Sequence, residues 1–518
     1  MSQPPLKVLL FALSEYGNFN PSLAAAHELV TRGCEVHVSS FDEGHDNGSG
    51  PRARVSQLNN GDYGPTTTSA SNPALPAKFH AISGYSMGTG FAKHPEGGSF
   101  QDFQSRPPNS IFLPLPGLGT LMCWMTPAEY KEAVESCVEI LKDVQPDIIC
   151  MDPWFSSPKD ACELMGRNFV VLSQNTAQES LDSIQPMGGV LWKYPMLGTG
   201  LPYPLPLHLI PSNMATVFRY VYRLNTAPEI RATNEVRKSL GNKKEFPGLV
   251  KWEKDNHYLI PCPTEADFDW GYIPDNVTFT GPVLVKGTGL GSDPELLTWL
   301  QKAGKGNTVL INLGSNTKYT QANAVEMATA IARFLEAPAG QGRQVLWKMT
   351  PKPSGADETR EAIQRILGDF CKSGRARVEK WFTVEPGDIL RDGYCGAMVH
   401  HGGANTYFEV LGAGIPQVIC PAWFDLYTMA ARVEYLNIGF YASKASAPDL
   451  NATEIADGLI TALDLSPENT KGEEMRQNAL RLGEVTRAYG GVRVAVDKIL
   501  ELAKEKNFSE AVGEQGGI

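Results

Sequence analysis

The chain reads as an α/β protein built from two doubly wound domains that face each other across a cleft. Three observations predict this. Its 518 residues exceed what one hydrophobic core fills. Apolar runs alternate with amphipathic helical stretches in both halves, the pattern of parallel sheets covered by helices. A glycine-rich segment, residues 286–293, separates the halves with an abrupt change of composition.

In the first half, residues 8–12 form an apolar run that predicts a buried strand. Residues 21–32 predict an amphipathic helix closed by Gly33, and residues 35–39 a second strand. That βαβ opening implies a parallel sheet. Residues 137–144 continue as helix, and residues 147–151, 169–172 and 258–260 as strands, before residues 278–285 lead out. Residues 44–77, rich in Gly, Ser, Asn, Thr and Pro, and residues 92–117, rich in Pro and Gly, are expected to be long loops. The second half starts with a strand at 308–313 that runs into Gly314-Ser315. A helix at 321–335, a strand at 344–348, a helix at 357–367 and a strand at 377–380 follow. In the tail, Ser466-Pro467 predicts a helix cap with proline in the first turn, Gly490-Gly491 a break, and Val492, Val496, Ile499 and Ala503 a last helix. The domains expected are residues 1–285 and 293–490.

A formal charge of -11 and a pI near 5.4 argue against binding nucleic acid or anionic membranes through bulk electrostatics, since the summed field repels polyanions. Nine scattered cysteines without a Cys-x-x-Cys pair predict reduced thiols and a cytoplasmic protein. No window approaches the ~18 apolar residues of a membrane span. The nearest, residues 111–125, is broken by Pro114 and Pro116, and residues 8–13 are too short for a signal-peptide core.

The chemistry concentrates after the apolar run Ala397-Met398-Val399. There His400-His401-Gly402-Gly403-Ala404-Asn405-Thr406 turns the chain into a helix whose free amides and positive end suit a phosphate. Glu409, further along, is placed to take the two hydroxyls of a ribose. Anion and sugar together predict a nucleotide-diphosphate pocket.

His401, Gly402, Gly403, Asn405, Thr406, Glu409, Gly414, Pro416, Pro421, Asp425 and Ala430 stand at spacings that resemble the donor signature of family 1 glycosyltransferases, the UDP-glycosyltransferases. The resemblance implies a GT-B fold of two Rossmann-like domains, with a C-terminal helix, residues 492–504, returning to the first domain. It also implies roles: Gly314 and Ser315 at phosphate, Trp381 stacked on uracil, and Asp425 on sugar hydroxyls. The chain departs from the pattern in three places. Leu426 replaces a glutamine, Met429 stands where asparagine is common, and the proline and glutamine expected soon after Trp381 are missing. A UDP-sugar is the implied donor, with glucose leading and rhamnose, N-acetylglucosamine or another hexose open. No metal or other cofactor is expected.

Gly17-Asn18-Phe19-Asn20-Pro21 resembles the Gly-His-x-x-Pro element that supplies the family's catalytic histidine, with Asn18 in the histidine's place. A similar lack marks a fungal-type branch. The family's inverting displacement needs a base for the acceptor hydroxyl, and an asparagine amide does not titrate. Asp152 resembles the histidine's partner; it is a polar anchor, a base if burial raises its pKa, or a cap for the next segment. His80 is the other candidate, or a satisfied core histidine. Phe103, Ile111, Phe112, Leu113, Leu115, Leu121, Met122, Trp124, Met125 and Trp154 suit a small hydrophobic acceptor's pocket, ordinary core or a partner surface. The alternative to an enzyme is a non-catalytic nucleotide-sugar-binding homologue that supports a partner enzyme.

Overall fold

The computed structural model describes residues 4–43, 50–64, 75–93, 118–244, 246, 251–315, 317–505 and 508. Two parallel sheets organise them. The first has seven strands, β1 (Lys7–Phe11), β2 (Glu35–Phe41), β3 (Lys78–Ile82), β4 (Ile148–Met151), β5 (Val170–Leu172), β6 (His257–Ile260) and β7 (Val277–Phe279), in the order β3-β2-β1-β4-β5-β6-β7. The second has six, β8 (Thr308–Asn312), β9 (Gln344–Lys348), β10 (Ala376–Glu379), β11 (Cys395–His400), β12 (Gln417–Ile419) and β13 (Gly439–Tyr441), in the order β10-β9-β8-β11-β12-β13. Helices cover both faces, so the central strands are buried over most of their length: Val8, Leu9, Leu10 and Phe11 on β1, and Val309, Leu310 and Ile311 on β8.

The strand order reverses beside β1 and β4 in one sheet and beside β8 and β11 in the other. At the ends of these pairs Phe11 lies opposite Met151, and Asn312 opposite His400. A doubly wound sheet opens its ligand crevice at such a switch point. The chain leaves β1 into Glu15–Asn18, β4 into Asp152, β8 into Gly314 and β11 into His401.

The first helix starts at Tyr16, five residues before the expected position, so that Gly17 and Asn18 lie in its first turn and Pro21 inside it. Proline has no N–H for the carbonyl four residues back, which is that of Gly17. Asn405 takes up this carbonyl: its Nδ2 donates to Gly17 O at 2.8 Å from the other domain. Residues 51–60, expected in a loop, form a helix opened by Pro51 and closed by Gly61 at φ 85°. Residues 94–117 lie outside the described residues. The tail cap also shifts. Ser466 bonds back to Asp464, and Asn469 caps the helix Thr470–Tyr489 by accepting from Gly472 N at 3.1 Å.

The halves also meet at the last helix and in a buried seam. The last helix, Val492–Leu502, buries Ala495, Val496, Ile499 and Leu502 among Leu23, Ala26, Leu29 and Val30 of the first domain, and Arg32 forms an ion pair with Asp497. In the seam, Arg432 on the helix Phe424–Tyr435 is fully buried and paired with the equally buried Asp267. Its guanidinium also donates to Thr176 Oγ1 at 3.2 Å and lies 4.0 Å from the Phe268 ring centre. Among the described residues, no helix is long and apolar enough to cross a membrane.

Replacing Arg432 by Met strands the Asp267 carboxylate in a dry seam. A loss of about 3–5 kcal/mol follows, read as a lower urea midpoint. Adding Asp267→Leu recovers part of it, and a single-variant loss under ~1 kcal/mol would contradict this account of the seam.

Candidate active site

A cavity of ≈ 590 Å³ lies between the carboxyl ends of the two sheets, lined from both domains. On the second-domain wall, Gly314 follows β8 at φ 87°, with its amide on Asn312 Oδ1 at 3.0 Å. The His401 ring is held between two glycines. A side chain on either Gly314 or Gly403 would meet the ring at 2.6 Å, so both positions need a bare backbone. Burial holds His401 neutral, pushing its pKa down to about 3, and its Nδ1 has no hydrogen-bond partner among the described residues. The helix Ala404–Ala413 begins here with no side chain capping its N-terminus, which leaves its first amides for a ligand.

Lys348, at the end of β9, supplies this wall's cation. Its Nζ donates to Gly314 O at 2.6 Å and sits 4.0 Å from the Trp381 ring centre, while desolvation lowers its pKa to about 8. Trp381 is 43 % exposed and presents its indole beside Lys348. Glu409 lies further along, against Gly387, where burial and then Glu385 raise it to about 8. The five residues from Trp381 to Glu385 line the cavity, and Glu385 accepts from the Tyr16 hydroxyl at 2.5 Å across the cleft.

On the first-domain wall, Asn18 donates from Nδ2 to Asp152 Oδ2 at 3.1 Å. Asp152 is 1 % exposed, and its other oxygen accepts from Trp154 N at 2.8 Å and Gln174 Nε2 at 3.4 Å. Burial raises it to about 6. It stands behind the lining and reaches the cavity through Asn18. Glu15 lines the cavity directly; Met87 N and Gly88 N donate to its Oε1 at 2.7 and 3.3 Å, and burial raises it to about 7. Asn175 joins the walls by donating to Glu179 Oε1 at 2.5 Å and to Asp425 Oδ2 at 3.5 Å. Burial and their mutual repulsion hold Glu179 up at about 8, and burial holds Asp425 at about 6. Met87, Phe91, Leu121, Trp154 and Tyr220 give this side its apolar surface.

Gly314, Ser315, Trp381, His401, Gly403, Asn405, Thr406, Glu409, Asp425 and Asn18 thus meet around one cavity. His80 does not join them, and its candidacy as base is corrected. It sits on edge strand β3 with its ring Nε2 2.8 Å from His37 Nδ1, a pair that occupies it outside the lining. Of the apolar residues read from sequence, Leu121 and Trp154 line the cavity. Met122, Trp124 and Met125 are core, with Trp124 Nε1 donating to Tyr85 O at 3.1 Å, and Phe103 to Leu115 fall outside the described residues. Glu15, Glu179, Glu385 and Lys348 escaped the sequence reading. A lysine ending a largely apolar strand and a glutamate a few residues after one were the available signals.

The family description "Erythromycin biosynthesis protein CIII-like, C-terminal domain" matches residues 383–484, the stretch that carries His401, the helix Ala404–Ala413 and Asp425. Over the whole chain, the protein is 30% identical across 503 residues to the glycosyltransferase sdnJ of Sordaria araneosa, covering 93% of this chain and 95% of the relative. The chain belongs to the family 1 glycosyltransferases. This UDP-glycosyltransferase is also 28% identical over 242 residues, 44% of its length, to 41% of a cinnamate beta-D-glucosyltransferase of Fragaria ananassa. Its fold matches a UDP-glucosyltransferase from Polygonum tinctorium with a TM-score of 0.61 at 14% identity, covering 97% of this chain and 99% of that one. The two facing parallel sheets are therefore a GT-B fold.

The glycine cradle of His401 is open to direct test. Gly314→Ala adds a methyl where the ring stands, at a backbone angle that L residues rarely adopt. UDP affinity measured by titration calorimetry falls by about tenfold or more, equivalent to at least ~1.4 kcal/mol. An unchanged affinity would show that the ring's position does not govern nucleotide binding.

Proposed function

We propose that this UDP-glycosyltransferase moves a hexose, glucose, from its UDP donor to a hydroxyl of a small lipophilic acceptor, with inversion at the anomeric carbon. The observation that carries the reading is the asymmetry of the cavity. Nucleotide-binding groups form one wall, and an apolar surface with carboxylates forms the other. Uracil stacks on Trp381, the ribose hydroxyls meet Glu409, and the diphosphate lies at the N-terminus of Ala404–Ala413 beside neutral His401 and cationic Lys348. Asp425 holds hydroxyls of the sugar. The acceptor enters over Met87, Phe91, Leu121, Trp154 and Tyr220, opposite the leaving group, and attack from that side inverts the centre.

Glucose is favoured because relatives are named for glucosyl transfer, the cinnamate enzyme among them. Helix amides and Lys348 are aimed at the charge that develops on the departing diphosphate, which is the task a metal performs elsewhere. The proposed reaction therefore uses no resident metal.

Purified protein with UDP-glucose and a panel of lipophilic phenols and alcohols yields β-glucosides, identified by the anomeric proton coupling, at rates unaffected by EDTA. Glu409→Ala weakens UDP binding by about 10–100-fold, since it removes two hydrogen bonds to the ribose hydroxyls worth ~0.5–1.5 kcal/mol each. Nucleotide binding without product on any acceptor would instead favour the non-catalytic homologue. Tighter binding of UDP-N-acetylglucosamine than of UDP-glucose would reassign the sugar.

A further inference from the structure

We propose that Glu15 is the catalytic base of the transfer, in place of the histidine missing at position 18. The assignment rests on the transfer reading above. Glu15 is the cap residue of the helix Tyr16–Thr31, and Asn18 stands three residues later in the first turn. Positions i and i+3 of a helix are neighbours on one face. The base has thus moved one turn back along the same wall of the cavity.

On the first-domain wall, bonding separates Glu15 from Asp152 and Glu179. Both oxygens of Asp152 are occupied, by Trp154 N and Gln174 on one side and Asn18 on the other, and it does not line the cavity. Both oxygens of Glu179 are occupied as well, by Asn175 and the Trp154 indole. Glu15 differs. Its Oε1 is fixed by the amides of Met87 and Gly88, and its Oε2 is buried with no partner among the described residues. One oxygen is anchored and the other is free to accept a proton, beside the apolar Met87 and Phe91 on the acceptor side.

In the step, Glu15 Oε2 takes the proton of the acceptor hydroxyl as that oxygen's lone pair bonds to the anomeric carbon. The bond from that carbon to the diphosphate breaks, and its electron pair leaves on the β-phosphate oxygen of UDP. The proton passes from Glu15 to solvent after the glucoside departs. Asn18 is a positioning residue: its amide ties the first turn of the helix to Asp152.

Burial sets the working range. Desolvation pushes Glu15 up to about 7, opposed by its own amide and those of Gly88 and Met87 and reinforced by the charge of Asp152. Glu43 is engaged on the same turn by Ser86 N and Thr89 Oγ1. The base acts when ionised, so turnover falls as pH drops through about 7.

The test compares wild type with Glu15→Gln, which keeps an oxygen for the two amides and removes the proton acceptor. UDP-glucose is the donor, and phenol and the more acidic 4-nitrophenol are acceptors. Expected is a ~10²–10⁴-fold loss of kcat on phenol, a smaller loss on 4-nitrophenol, disappearance of the acid limb near pH 7, and an unchanged Kd for UDP. Partial recovery on adding Asn18→His supports the one-turn displacement. An active wild type with Glu15→Gln within about threefold of it, or with equal losses on both phenols, overturns the assignment alone. A wild type inactive on both phenols overturns the transfer reading and this assignment together.

Discussion

The site exists because a charged side chain is buried where the two domains meet. Arg432 sits in the seam without solvent, matched by Asp267, Thr176 and the face of Phe268. A guanidinium in such a place tolerates little displacement, since movement away from its partner leaves two uncompensated charges in a medium of low dielectric. It therefore fixes how the carboxyl ends of β1 and β4 face those of β8 and β11. The helix that carries Arg432 also carries Asp425 at its start, so the seam and the cavity lining share one rigid element.

Around that seam the cavity concentrates carboxyl groups whose protons are held more tightly than in water. Glu15, Asp152, Glu179, Glu409 and Asp425 are all raised, in each case by desolvation first. The positive potential comes from Lys348 and the amides that open the helix Ala404–Ala413 on the second-domain wall, and from Arg54 on the first. This placement lets the proposed reaction hold a diphosphate at these groups while Glu15 takes a proton on the first-domain wall. It also explains why the net negative charge of the chain does not oppose an anionic ligand: the local field at the amides differs from the bulk one.

Much of this was legible in the residues. The strand at Gln344–Lys348 has the bounds its sequence predicts, because an apolar run between polar ends leaves little choice. The wall after β11 was readable because glycine spacing, helix start and Glu409 belong to one continuous segment. The other wall was not. Glu15, Asn175 and Glu179 come from separate segments, and what matters about them is which oxygen is already bonded, a fact that spacing does not encode. His80 misled for a related reason. A histidine between apolar residues on a strand looks identical whether it faces a pocket or another histidine, and only the register opposite Ser39 of β2 decides.

The contact between Asn405 and Gly17 shows a further way in which sequence carries structure. It contains no charged group and no unusual side chain on the Gly17 side. It is made available by an atom that Pro21 does not have. A helix ordinarily consumes its own carbonyls, and here a ring closed on one nitrogen releases a single oxygen toward the neighbouring domain. Information about how two domains meet is thus stored as a subtraction, four residues away from the bond it permits, where a survey of interacting side chains would find nothing to align.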